Sequence, residues 1–318
     1  MTTSVAATPG PGLGDRIYRK LSDIPTAVLW LLVVIWTIPS LSLFVNSFRG
    51  RDAQRNDAFW NIVAERDATL ENYESVLTAG ATNNLTDSIV TSFAIAVPAT
   101  IIPITFAAIA AYAFAWMDFR GKKWLFIGTV SLLAIPLQVA LIPLLQLFGD
   151  GDPFGGAHLT VPFTDKTLTM LPLNNLVGTP AAVWLTHTGF AMPFAIFLLH
   201  NYIVQLPKEL FESAQIDGAN HFGIFWRLVL PLSIPALASF AIFQFLWTWN
   251  DYLIANTMLG FSGQAPTTVF IANLAGDFDN TDHLLTSAAF VQAFFPLVVF
   301  FSLQRYFVRG ILAGSVKG

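Results

Sequence analysis

Long apolar runs, separated by polar stretches rich in glycine, proline, asparagine and aspartate, organise the whole chain. A helix rising 1.5 Å per residue needs about 20 apolar residues to cross roughly 30 Å of hydrocarbon. Six runs meet that length: about 26–47, 88–115, 124–148, 181–204, 234–258 and 284–304. Prolines fall inside several of them, at Pro39, Pro98, Pro103, Pro136, Pro143, Pro193 and Pro296. In water these would argue against helices. Within a bundle, neighbouring helices and Ser or Thr side chains satisfy the freed carbonyls, so kinked spans are expected. The pattern predicts an all-α polytopic membrane protein: a transmembrane domain over 26–304, flanked by polar segments at 1–25 and 305–318.

Composition agrees. The chain is 54% hydrophobic and 11% charged over 318 residues, against about 25% charged in an ordinary soluble domain, and its mean hydropathy is +0.60. It contains no cysteine, which excludes disulfides and thiolate metal sites. The first apolar run, closed by no Ala-x-Ala site, is longer than a signal-peptide core of about 7 to 15 residues and reads as a retained span. Orientation follows from charge. Eleven of the 16 Lys and Arg residues lie in the N-terminal segment, the 116–123 and 205–233 loops and the C-terminal segment. The three opposite loops, about 48–87, 149–180 and 259–283, carry 13 of the 20 acidic residues. The positive-inside rule therefore places both termini in the cytoplasm. The long outer loops read as binding surfaces.

The cytoplasmic loop 205–233 is the most informative stretch. Pro207 suits the first position of a new helix. Leu210, Phe211, Ala214 and Ile216 are spaced to form one apolar face. Gly218 interrupts that helix, and Phe222, Phe225, Trp226 and Leu228 follow in a second short segment. Small residues at Ser213, Ala214, Gly218 and Ala219 leave a shallow surface that another protein can approach, while Glu212 and Asp217 offer carboxylates to a basic partner. Periodicity alone also fits an amphipathic helix lying in the headgroups.

The order Glu212-Ser213-Ala214-x-x-Asp217-Gly218-Ala219, followed by Leu228-Val229-Leu230-Pro231, resembles the EAA loop of ABC-importer permeases. Ser213 replaces the motif's middle Ala and Leu228 its Ile. The flanking Leu206-Pro207-Lys208-Glu209-Leu210 and Leu230-Pro231-Leu232-Ser233-Ile234-Pro235 are similar to permease subunits of carbohydrate importers. So are Trp249-Asn250-Asp251-Tyr252-Leu253, Asn72-Tyr73 and the ending from Gln304 to Gly318. The resemblance covers about residue 70 to the end and is closest to six-span, maltose-type permeases. It implies a type I ABC importer permease fold in a prokaryotic plasma membrane. It also implies a second, homologous permease, two ATP-binding subunits that hold ATP and Mg, and an extracytoplasmic solute-binding protein delivering carbohydrate. Glu212 would pair with an Arg of the ATPase, with Leu230 and Pro231 closing the motif. The tail Gly314, Ser315, Val316, Lys317 and Gly318 would reach between the ATPases. The third outer loop, with Asn273, Asp277, Asp279 and Asn280, would meet the binding protein.

Polar residues within the spans are candidates for the translocation path: Gln138, Gln244, Asn250, Asp251 and Gln292. Gln244 falls near the midplane, and an amide there serves either a sugar hydroxyl or a neighbouring helix. Asp251, about 26 Å along the fifth span, reads as an outer-rim gate or an interfacial carboxylate. His187 and His200 lie toward opposite ends of the fourth span, too far apart to share a metal or a proton. No Gly-x-x-x-x-Gly-Lys-Ser/Thr occurs, so no ATPase site lies in this chain. An ion-coupled secondary transporter needs buried ionisable groups near the midplane, which these spans almost lack. A membrane enzyme needs a clustered set of His, Asp or Glu, and no metal or cofactor site is legible. No nucleic-acid-binding pattern occurs. An importer subunit for a non-sugar solute stays open beside the sugar reading.

Overall fold

The computed structural model describes residues 26–78, 84–149, 158–160, 167–169, 176–260, 262–276 and 281–315, with side chains to residue 305 apart from those of 158–160, 167–169 and Asp282. The first span is α1 (Thr26–Asn46). It buries no residue and lies at the edge of the bundle, touching the last helix through a Phe44–Phe290 edge contact at 5.2 Å. Apolar side chains exposed all round are what a lipid-facing helix requires.

Residues 48–78 of the first outer loop are folded rather than open. Helix α2 (Arg51–Asn56), a 3₁₀ turn (Phe59–Asn61), α3 (Ile62–Glu65) and α4 (Glu71–Thr78) wrap Arg49, which is fully buried. Its guanidinium donates to Asp67 at 2.8 Å, to Asp57 at 3.2 Å and to the Ala58 carbonyl at 2.9 Å. Glu65 approaches to 3.8 Å. Hydrogen bonding to Asp57, then burial and the neighbouring carboxylates, raises the Glu65 pKa. Asn72 explains its place in the sequence: its amide donates to the carbonyls of Ser47 and Arg49, at 3.1 and 2.7 Å, fastening α4 to the end of the first span.

The second span is α5 (Leu85–Trp116), a single 32-residue helix capped by Asn84, whose side chain accepts the Asp87 N–H at 2.7 Å. Its main partner is the fourth span, α8 (Pro180–Ile203). Ala107, Ala108 and Ala111 on α5 share one buried cluster with Ala191 and Ala195 on α8. Without a hydrophobic force between helices in lipid, such small residues allow close backbone contact.

The third and fifth spans are broken rather than only kinked. The third is α6 (Lys122–Ser131), a 3₁₀ turn (Leu132–Ala134) and α7 (Leu137–Phe148), bent by 102°. Pro136 is the cause. It offers no N–H and forces Ile135 into an extended conformation (φ −80°, ψ 121°). The fifth is α12 (Ile234–Trp249), entered through a loop helix with a 70° bend and ending nine residues before the expected 258. Among the described residues four unbroken helices are long and apolar enough to cross a membrane, or six if each bent pair is one span.

Beyond the break, α13 (Leu253–Leu259) and α14 (Thr267–Gly276) turn part of the expected 259–283 loop into helix. The last helix, α15 (Asp282–Ser315), overruns the predicted end of the sixth span at 304. It packs on α12 through aromatic contacts such as Trp249–Phe295, whose ring centres are 5.5 Å apart. In the 149–180 loop, His158–Thr160 and Thr167–Thr169 pair antiparallel, and an isolated antiparallel bridge joins Arg49 and Ala68, so the described residues are not wholly α. The 1–25 segment, Asp277, Asp279, Asn280, Val316, Lys317 and Gly318 lie outside the described residues.

Candidate functional site

The segment after α8 folds back on the bundle as two helical pieces joined by a tight bend. The first is α9 (Lys208–Ile216), with Pro207 as its N-cap residue. Phe211, 3% exposed, stacks on Trp116 with ring centres 3.7 Å apart and planes at 15°. The Trp116 indole N–H donates to the Ile203 carbonyl at 3.3 Å, so one side chain ties together α5, α8 and α9. Replacing Trp116 with Leu keeps apolar bulk but removes stack and donor. A loss of about 1 to 2 kcal/mol in the seating of α9 is expected, read as faster proteolysis within 205–220 without loss of the six spans.

The bend is a Schellman motif. Gly218 has φ +80°, its N–H bonds the Gln215 carbonyl at 3.0 Å, and the Ala219 N–H reaches back to the Ala214 carbonyl at 2.9 Å. A left-handed residue at this place favours glycine over any side chain. Asn220 then caps α10 (His221–Ile224), its side chain accepting the Gly223 N–H at 2.8 Å. A five-residue π turn (Phe225–Val229) and α11 (Leu230–Leu232) lead into α12. Ile224, Phe225 and Val229 are buried against Tyr112, Phe114 and Phe211, and the Tyr112 hydroxyl hydrogen-bonds His221 Nδ1 at 2.9 Å.

What this scaffold leaves outward matters most. Glu212, Ser213, Asp217, Gly218, Ala219 and Pro231 are exposed, Ala214 and Leu230 half-buried. Among the described residues neither Glu212 nor Asp217 has a cationic partner. Ile216 is 86% exposed and Phe222 is 73% exposed, so the expected single apolar face is corrected. Phe211 and Ala214, three apart, share the buried side, whereas Ile216 lies five residues, or about 140° round the helix, from Phe211. The surface is thus acidic and apolar together, on a rigid support.

Residues 103–313 match the family model described as "Binding-protein-dependent transport system inner membrane component". The chain belongs to that family. The permease is 46% identical over 307 residues to the osmoprotective compounds uptake permease protein GgtD of Synechocystis sp., covering 95% of this chain and 94% of that one. It is 48% identical over 251 residues to the alpha-glucoside transport system permease protein AglG of Rhizobium meliloti, covering 79% and 60% of the two chains. In fold it is similar to a chain of a bacterial ABC transporter that imports the acidic polysaccharide alginate, with a TM-score of 0.66, 20% identity and 94% and 100% coverage.

Within the membrane, the permease uses its polar residues differently from a simple path. Gln244 is fully buried; its amide donates to the Ala99 carbonyl at 3.1 Å and to Thr248 Oγ1 at 3.3 Å, joining α12 to α5. Its Oε1 is buried without a partner. Gln138 is exposed beside the α6–α7 bend, and Gln292 is half-buried, its backbone carbonyl accepting from the Trp249 indole N–H at 3.2 Å.

Asp251 is neither on a span nor a solvated carboxylate. It sits in the break between α12 and α13, 12% exposed, and accepts the Ala255 N–H at 3.0 Å. His187 Nε2, fully buried on α8, lies 3.7 Å from the same carboxylate oxygen. Span five ends early because Asn250 turns its amide onto the Leu246 carbonyl at 2.8 Å, satisfying the helix end locally. Spacing along one helix gave no signal for the His187–Asp251 pair, since its members come from different spans. Asn273 is exposed on α14, beside a small cavity that also touches Asn256 and Gln264. Gly314 and Ser315 continue α15, so at least these two tail positions are helical. Among the described residues no cluster of His, Asp and Glu could hold a metal ion.

Proposed function

We propose that this permease is one half of a translocation path driven by ATP on other chains, and that it imports a sugar or small oligosaccharide handed over by a binding protein. A second homologous permease would complete the path. Two ATP-hydrolysing subunits, which bind the ATP and Mg, would sit on the cytoplasmic side, one of them receiving the bend at Glu212–Ala219. The reading places both termini in the cytoplasm. It assigns the end of α15 and the following Val316, Lys317 and Gly318 to contact between the ATPase subunits. Asn273, Asp277, Asp279 and Asn280 face the binding protein in the same scheme. Gln138, Gln244, Asn250, Asp251 and Gln292 belong to the path or its helix contacts. Sugar as cargo is supported by relatives named for alpha-glucosides and arabinooligosaccharides.

The observation that carries the proposal is the bend itself: a glycine-dependent turn, locked on the bundle by Phe211 and Trp116, presenting an unpaired Glu212. Gly218→Val tests it. A Cβ there meets nothing within 4 Å, so the harm is conformational, about 1 to 2 kcal/mol for a left-handed residue. Retention of the ATPase on the purified permease should fall roughly 5- to 30-fold, while Gly218→Asn, which tolerates that conformation better, retains more. Equal retention in both variants and the unaltered chain would remove the bend from the contact.

A further inference from the structure

We propose that the cavity at the start of the third span holds the headgroup of an anionic phospholipid, with Lys122 and Lys123 as its phosphate-binding cations and the exposed side of α6 as the track for its acyl chains. The inference needs only a chain that spans a membrane and does not depend on the cargo. The cytoplasmic placement of the 116–123 loop puts the site in the inner leaflet.

The cavity has a volume of about 450 Å³, within the roughly 300 to 1,000 Å³ typical of small-molecule sites. It lies where α5 gives way to α6, against the end of α8. Phe114 and Phe126 form an apolar floor, their ring centres 5.4 Å apart. His200 of α8 packs on Phe126 at 4.3 Å and carries a buried Nδ1 with no hydrogen-bond partner, so the floor is not wholly apolar. Phe119 and Trp124 stand exposed at the rim.

Charge selects the occupant. Lys122 and Lys123 line the cavity, and among the described residues no carboxylate does. Lys122 gives an N–H to the Met117 carbonyl at 3.0 Å and lies 3.9 Å from the exposed carboxylate of Asp118, a pair that water largely screens. Lys123 and Arg120 are exposed and have no carboxylate partner among the described residues. Asp118 thus stands alone against Arg120, Lys122 and Lys123. Helix α6 also begins here, with Gly121 (φ +83°) as an N-cap residue that offers no side-chain acceptor, so its positive end adds to the same field. A basic pocket between membrane helices at the cytoplasmic surface suits an anionic headgroup.

The apolar surroundings decide between a lipid and a free phosphate. Trp124 and Ile127, three apart and both exposed, share one side of α6 and lead from the lysines into the hydrocarbon. A tryptophan at this level is a usual interfacial anchor. Free phosphate would meet the cations alone, whereas a phospholipid covers the apolar track as well.

The test is photolabelling of the assembled transporter in phosphatidylcholine vesicles carrying a trace of photoactivatable phosphatidylglycerol, followed by peptide mapping. Label should concentrate within residues 114–127. Excess unlabelled phosphatidylglycerol should suppress it, and the same excess of inorganic phosphate should not. A lysine near an anionic headgroup contributes about fivefold in binding. Lys123→Gln, which removes an exposed and unpaired charge, should therefore cut the label about fivefold, and Lys122→Gln with Lys123→Gln about 25-fold. Lys122→Arg with Lys123→Arg should keep it. Suppression by inorganic phosphate would make this a site for a free anion. Equal labelling by photoactivatable phosphatidylcholine would make it an unselective lipid cleft, and absence of label would show it covered by another subunit. Each of these overturns the proposal, as does label indifferent to the lysine substitutions. The probe occupies both leaflets, so a reversed orientation of the chain would not by itself erase the label.

Discussion

Glu212→Lys is expected to lower ATP-driven uptake at least ~30-fold while the chain still inserts and folds. The side chain is exposed and pairs with no cation among the described residues, so the substitution is expected to change stability by less than about 0.5 kcal/mol. At a docking surface the outcome is different. Truncating one partner of a buried, hydrogen-bonded charge pair costs about 2 to 5 kcal/mol, and reversal adds like-charge repulsion. Two measurements made together check this: uptake into vesicles, and ATP hydrolysis by the same preparation. Hydrolysis that continues without uptake, or an ATPase that no longer remains bound, is the expected result. Unchanged uptake would show that Glu212 meets no cation.

Arg49→Ala should be the most damaging single change outside the membrane. It leaves Asp57, Asp67 and Glu65 facing one another without their common cation and deprives the Ala58 carbonyl of its donor. Breaking a buried pair by removing one partner costs about 3 to 5 kcal/mol. Glu65 is 51% exposed, so solvent shields part of the effect and about 3 kcal/mol is the better figure. Limited proteolysis from the outer face should cut within 50–70 much faster than in the unaltered chain. Arg49→Lys should recover part of the loss but not all, since a point charge cannot donate in the same fork. Wild-type resistance in Arg49→Ala would mean that the carboxylates do not depend on it.

Much of this architecture was legible in the chain because its dominant signal is length of apolar run, which lipid imposes on every span. The first, second and fourth spans emerged as single helices near their expected bounds, and the sixth as one helix that runs on past 304. The two exceptions have local causes that sequence alone underweights. A proline within an apolar run is either carried inside a continuous helix, as Pro98 and Pro103 are in α5, or breaks it, as Pro136 does. Nothing in the immediate sequence separates those outcomes, because they depend on whether neighbouring helices satisfy the freed carbonyls. Asn250 ends α12 with its own side chain, a competition weak enough to be decided by packing.

At the candidate site the glycine bend and the acidic exposure could be read directly, since both are local. The orientation of Ile216 could not, because five-residue spacing looks apolar in a window yet turns the residue away. Arg49 and the His187–Asp251 pair were invisible for a plainer reason. Each is made by residues brought together only by the tertiary fold. In the 48–87 stretch an arginine among scattered acids reads as a solvated loop until the chain is seen to wrap around it.

The central claim concerns which side of the membrane the Gln215 bend occupies and what covers it. Gln215 is exposed at the bend and the native chain has no cysteine, so Gln215→Cys provides one reporter thiol on this permease. Impermeant maleimide should label it in inverted vesicles stripped of the ATPase, much less once the ATPase is restored, and not at all in sealed right-side-out cells. Labelling from outside intact cells would contradict the account.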